Sequence, residues 1–264
     1  MSEPALDPVA ALVRRHDPDR FFTALFAPPA KRPALLLLYA FNHELARARE
    51  VASAPPLALI RLHWWREVAQ GTRRRHEVAG PLGEAIAAGV LDGTALAAMV
   101  DAREAEVEAG FSTSAGWEDY LRGTAGALAA EAGRVLGASA GVLPRLERLG
   151  TAYGMAGQLR NIAALARQER CLLPDDLLAV QAIQAEQVIA NSQAPALRGV
   201  RAAIAARGKA LLAEAGGGLP RAVLAAALPA VFARHDFARP DAMPAPRGFG
   251  VKAAVMLAAI TGRV

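Results

Sequence analysis

The chain has 264 residues, 53% hydrophobic and 5% aromatic, and carries 30 Lys and Arg against 25 Asp and Glu, a net charge of +5. That is enough apolar material for a sizeable core, and a composition rich in Ala and Leu but poor in β-branched residues predicts an all-α single domain over residues 1–264. The single cysteine, Cys171, excludes an internal disulfide, no Cys/His spacing suggests zinc, no uncharged run approaches the roughly 18 apolar residues of a membrane span, and arginines this dispersed, "TRRRHE" at 72–77 apart, argue against nucleic acid as a partner.

In chain order, apolar residues at helical spacing, punctuated by Pro and Gly, predict helices over 5–15, 18–26, 30–52, 55–71, 81–89, 93–110, 115–137, 141–168, 183–215, 219–235 and 248–262. Asp92 and Ser114 are the predicted N-caps of two of them, and "EAGGGLP" ends one helix and starts the next. No strand alternation, repeat or long linker interrupts the series. The first twenty residues mix acids with bases and hold no apolar h-region, which predicts a cytoplasmic protein without a leader. "ARPDAMPAPRG", 238–248, is the one extended Pro-rich segment and reads as a surface connector.

The helix predicted over 141–168 opens the stretch "AYGMAGQLRNIAALARQER", 152–170. Ala152, Gly154, Ala156 and Gly157 give it a small-residue face, and Gln158, Arg160 and Asn161 form a polar cluster in a helix otherwise apolar enough to be central. A buried arginine needs partners, and a carboxylate such as Glu44 or Glu50 across the bundle is the one expected for Arg160. Arg47 either pairs with Glu44 three residues back, worth roughly a few tenths of a kcal/mol, or points inward to bind an anion. Trp64 and Trp65 predict one indole in the core and one partly wet. Asp101, Glu104 and Glu108 form the only stripe with enough carboxylates for a divalent cation, and with Arg103 beside them they read as an exposed acidic face. His43, His63 and His76 have no Cys, Asp or second His at ligand spacing, and Cys171 has no dedicated partner, so neither a metal site nor a nucleophilic triad is predicted.

Three ordered stretches resemble the squalene/phytoene synthase family of all-α, head-to-head prenyl transferases. They are "RFFTALFAPPAKRPALLLLYAFNHELARAREVAS" from residue 20, "RLHWWREVAQG" at 61–71, and the 152–170 stretch running into "CLLPDDLL". The resemblance implies a helical bundle of the isoprenoid synthase type around a central cavity, with Arg66 of the "WWR" helix facing it. It also implies two Asp-rich motifs on facing helices, carboxylates four residues apart, holding Mg²⁺ against a prenyl diphosphate so that the metal helps the diphosphate leave. The corresponding positions here are Ala46, Arg47 and Glu50 on one helix and Leu165 and Glu169 on the other, which leaves one acid of three on the first and an isolated one on the second.

"AFNHELA" at 40–46, "QLR" at 158–160 and "LLPDD" at 172–176 are similar to a divergent branch of that family, the mitochondrial respiratory complex I assembly factor and its bacterial relatives. This implies a non-catalytic assembly or scaffold factor without a cofactor, with respiratory-chain subunits or assembly proteins as partners and peripheral contact with the inner membrane. Two alternatives stand beside it. One is an active prenyl transferase that uses Mg²⁺ and a rearranged acid set drawn from Glu44, Glu50 and Glu169; the other is a carrier of an isoprenoid or anionic lipid. Because Ala46 and Leu165 add apolar surface and the small-residue face fills little volume, a lipid-sized apolar channel is expected between the 30–52 and 141–168 helices. Arg47 or Arg160 would meet an anionic head group at one end of it.

Overall fold

The computed structural model describes residues 7–107 and 110–264. Helix follows helix: α1 (Pro8–His16), α2 (Pro18–Ala24), α3 (Arg32–Glu50), α4 (Pro55–Ala69), α5 (Ala79–Ala87), α6 (Gly93–Glu104), α7 (Ser114–Leu121), α8 (Ala127–Val135), α9 (Leu143–Ala166), α10 (Asp175–Val180), α11 (Ala185–Ala190), α12 (Leu197–Glu214), α13 (Leu224–Ala227), α14 (Pro229–Ala238) and α15 (Phe249–Thr261). The described residues contain no strand, only an isolated bridge between Phe111 and Pro174, so the fold is all-α as composition predicts. None of these helices is long and apolar enough to cross a membrane. Proline opens α1, α2, α3, α4, α9 and α14 at the first or second position, where its missing N–H would have had no helical partner anyway.

The longest helix, α9, is the axis of the bundle, packed against α8, α12, α14 and a π-helical turn (Arg122–Gly126) that joins α7 to α8. Its approach to that turn is possible only because side chains are missing on both surfaces. A Cβ on Gly150 would strike the carbonyl of Ala125, and one on Gly126 would press on the Thr151 hydroxyl. The other long helix of the core, α3, buries Leu35, Leu38, Phe41 and Leu45 against α1, α4 and α8. Trp65 is buried edge-on to Phe41 at 5.6 Å while Trp64 stays partly exposed, the division predicted for the pair.

Several local expectations change. The helix predicted over 183–215 is two helices, α11 and α12, because residues 191–196 include Pro195, which cannot continue an α-helix. Asp92 caps α6 as predicted, accepting the N–H groups of Thr94 at 2.9 Å and Ala95 at 3.3 Å. Ser114 does not cap α7. Thr113 does, accepting from Gly116 N–H at 3.2 Å, while Ser114 donates its N–H and hydroxyl to Asp176, each at 2.8 Å, and so ties α7 to α10. The small residues of α9 divide between two faces, since Ala152 and Ala156 are sealed in the core and Gly154 and Gly157 line a cavity.

Candidate functional site

Between α3, α9 and the turn from α1 to α2 lies a cavity of about 410 Å³, within the range of small-molecule sites. Ala46 and Asn42 of α3 face Gly157, Gln158 and Asn161 of α9 across it. The 239–248 segment closes one end through Pro246 and Arg247, so the predicted connector is a strap over the cavity. The wall is not the apolar channel expected from Ala46 and Leu165. Four guanidinium groups reach it, from Arg20, Arg103, Arg160 and Arg247, together with the phenols of Tyr120 and Tyr153.

Each arginine already has its counter-charge. Arg20 pairs with Asp17 at 2.8 Å and lies over the Tyr153 ring, 4.7 Å from its centroid. Arg103 holds Glu106 at 3.2 Å and donates to Asn42 and to the Tyr120 oxygen, both at 3.1 Å. Arg247 donates to Asp19 at 2.9 Å and grips both oxygens of Asp236 at 2.6 and 2.9 Å. Arg160 donates to the Ala245 carbonyl at 2.8 Å and stands 3.6 Å from Asp236. Burial works against the charge on Arg20, Arg103 and Arg247, but the facing acceptors, Tyr120 and then Glu106 for Arg103 and carboxylates for the other two, outweigh it and raise all three pKa values. Burial pushes the Tyr120 phenol up, and Glu106, which accepts a hydrogen bond from it at 2.5 Å, pushes it further. Tyr153 is raised by burial and then by Asp17 and Asp19. The phenols therefore remain neutral donors, and the interior is a network of matched charges.

That network decides whether Mg²⁺ fits. The carboxylates on the cavity wall are Asp17 and Asp19; the first is held by Arg20 and the second by Arg247 and the Tyr153 hydroxyl at 3.3 Å. A hard cation needs several converging, unclaimed oxygens. Among the described residues no three His, Cys, Asp or Glu side chains are grouped to hold a metal. The donor set does not fit a Mg²⁺ clamp.

The predicted site residues separate into those the cavity gathers and those it does not. Ala46, Gln158, Arg160 and Asn161 line it. Arg160 is not held by Glu44 or Glu50, because α14 and the strap return over α9 and deliver Asp236 and the Ala245 carbonyl to it first. Arg47 is not at the cavity either; it pairs with Glu44 at 3.2 Å along α3, the local alternative. Arg66 turns away from the cavity toward α6, where its Nε donates to Asp101 at 2.7 Å and its terminal nitrogen to Glu104 at 2.8 Å. The acidic stripe is thus an inter-helix tether for Arg66, and Glu108 lies outside the described residues. Glu50 ends α3 exposed, Glu169 sits exposed in the turn after α9, and Leu165 packs against the core, so none of the three meets the cavity. His76 accepts the N–H groups of Val78 and Ala79 at the start of α5, and His43 stacks on His16 at 4.4 Å.

Sequence reasoning missed Asp17, Asp19, Arg20, Tyr120, Tyr153 and Arg247. Two signals were available. "HDPDR" at 16–20 concentrates charge at a helix break, and all three tyrosines of the chain, Tyr39, Tyr120 and Tyr153, sit around this one network, with Arg20 over the rings of Tyr39 and Tyr153.

The architecture has solved counterparts. A dehydrosqualene synthase crystallised with a ligand superposes with a TM-score of 0.77 at 12% identity, over 96% of this chain and 94% of the other. The squalene synthase HpnC from Alicyclobacillus acidocaldarius gives 0.68 at 17% identity, over 96% and 93%. At such identities the likeness establishes the isoprenoid synthase fold and leaves the chemistry open. No curated protein matches the chain in sequence. Residues 13–242, however, match the sequence model of the squalene/phytoene synthase family, and with that match spanning most of its length, the chain belongs to the squalene/phytoene synthase family.

Proposed function

We propose that this member of the family does not perform metal-assisted prenyl transfer and serves as an assembly or scaffold factor of the respiratory complex I type. One observation carries the reading: every carboxylate on the cavity wall is bonded to an arginine, and the positions facing each other from α3 and α9 are Ala46, Gln158 and Asn161. Diphosphate departure needs developing negative charge to be stabilised by metal or free cations. Here the cations are neutralised by Asp17, Asp19, Asp236 and Glu106, so the same groups that would receive a diphosphate hold the bundle together instead. The rearranged acid set of the prenyl transferase alternative draws no support, since Glu44, Glu50 and Glu169 do not line the cavity. A polar, charge-matched wall equally disfavours a carrier of isoprenoid chains.

With the interior committed to structure, function passes to the surface. The test is genetic and biochemical: delete the gene in the host and follow assembled NADH:quinone oxidoreductase on native gels of its membranes. Loss of the assembled complex, restored by the wild-type chain and equally by the cavity variants Gln158→Ala and Asn161→Ala, is the expected result. An intact complex in the deletion strain, or restoration that fails only with the cavity variants, would overturn the scaffold reading.

A further inference from the structure

Helix α15 docks on the bundle by a narrow seam, Val255 and Ala258 closing on Leu228 and Phe232. The rest of its apolar surface is left open. Phe249 is 81% exposed, Leu257 62% and Ile260 70%. At 3.6 residues per turn these three fall within about 80° of arc, with Ala253 between them, so they form one stripe rather than scattered contacts. The charges on the segment that carries the stripe are all of one sign. After Asp241 the sequence contains no Asp or Glu, while exposed Lys252 lies beside the stripe on α15 and exposed Arg263 follows its C-cap. Arg221 donates to the Ile260 carbonyl at 3.4 Å and Arg234 to that of Val264 at 3.0 Å, which brings two more guanidinium groups to the end of the helix.

From this arrangement we infer that α15 is an interfacial membrane helix that seats the protein on an anionic bilayer surface. An apolar stripe bordered by cations matches the two layers of such a surface, acyl chains below and phosphates above. With only 13 residues, α15 is too short to span, so it lies in the interface plane. A second copy of the chain fits the face less well, because a two-fold contact would set the Lys252 and Arg263 borders of one molecule near those of the other with no acid to separate them. Arg247, one residue before the helix cap, lines the cavity, so a bilayer held by α15 also lies beside the strap. The inference does not depend on whether the cavity is catalytic.

Vesicle flotation of the full chain tests it, with phosphatidylcholine vesicles made with and without phosphatidylglycerol. The wild-type chain is expected to float with the phosphatidylglycerol vesicles and to be released by added salt. The double variant Leu257→Asp/Ile260→Asp is expected to lose more than about tenfold in vesicle affinity, since each change withdraws apolar area and adds repulsion. Lys252→Glu/Arg263→Glu is expected to lose the preference for the anionic lipid. All these side chains are exposed, so both variants should melt with the wild type, and that measurement separates lost docking from lost folding. Absence of wild-type flotation, equal flotation by the double aspartate variant, or a lipid-free dimer dissociated by the same substitutions would overturn the inference.

Discussion

Truncating Arg247 removes the keystone of the strap. Its side chain is 8% exposed and makes three charged hydrogen bonds, two to Asp236 and one to Asp19, with the guanidinium 4.8 Å above the centroid of the Phe232 ring. Arg247→Ala leaves Asp19 and Asp236, only 16% and 10% exposed, with much of their counter-charge gone; for a fully buried pair that costs about 3 to 5 kcal/mol. Arg160, 3.6 Å from Asp236, recovers part of that, so the lower end of the range, about 3 kcal/mol, is the expected loss. For a domain of this size each kcal/mol moves Tm by about 2 to 4 °C, which sets the expected drop at roughly 6 to 12 °C. Thermal melting by far-ultraviolet circular dichroism reads the shift, and the urea midpoint should fall with an unchanged slope. Arg247→Lys should recover only part of it, because a single ammonium cannot reproduce the bidentate grip on Asp236. A Tm for Arg247→Ala within a degree of wild type would refute the claim that matched charges hold the strap over the cavity.

Arg160→Ala should cost much less, about 1 kcal/mol, because this side chain is 30% exposed and its close bond is to a carbonyl; a loss as large as that of Arg247→Ala in the same melts would contradict the ranking. Gly150→Ala should destabilise by about 1 to 3 kcal/mol, since the added methyl would overpack the contact with Ala125 and Ala129, and a neutral or raised urea midpoint would show that α9 has slack against the π-helical turn. Tyr120→Phe should cost about 1 to 2 kcal/mol by stripping buried Glu106 of its shortest bond, checked by the same denaturation curves. Burial, reinforced by the stacked His16, holds the pKa of His43 below the ordinary 6.5. The folded state therefore binds fewer protons there than the unfolded chain, and the stability present above pH 6.5 is lost as the pH falls below it. His43→Gln should flatten the fall in Tm from pH 7 toward pH 5, and parallel curves for the two proteins would count against the shift.

The fold was legible because it rests on local signals. Apolar spacing, first-turn prolines and glycine stops place α3, α4, α6 and α9 close to where they are found, and the Glu44–Arg47 pair is readable because its partners are three residues apart on one helix. The site was legible only from one side. Ala46, Gln158, Arg160 and Asn161 stand where the two long helices face each other, and Arg20 and Arg103 find their carboxylates three residues away, but the partners of Arg247 lie 11 and 228 residues off, at Asp236 and Asp19, and Arg160 stands near the same Asp236. Burial of the partners and the return path of the strap choose among many carboxylates, and neither leaves a periodic trace. Arg66 shows the same limit in reverse: the "WWR" motif locates its helix, while the packing of α4 on α6 decides that its guanidinium meets Asp101 and Glu104.

The central claim is that the cavity offers Mg²⁺ no unclaimed carboxylate, its acids being paired with arginine, and product formation tests it most directly. Protein shown by its melting curve to be folded is incubated with farnesyl and geranylgeranyl diphosphate and Mg²⁺, and the lipid products are extracted. No squalene, phytoene or presqualene diphosphate above a heat-killed control is the result expected of a cavity whose acids are all paired, and Mg²⁺-dependent formation of any of them would contradict it.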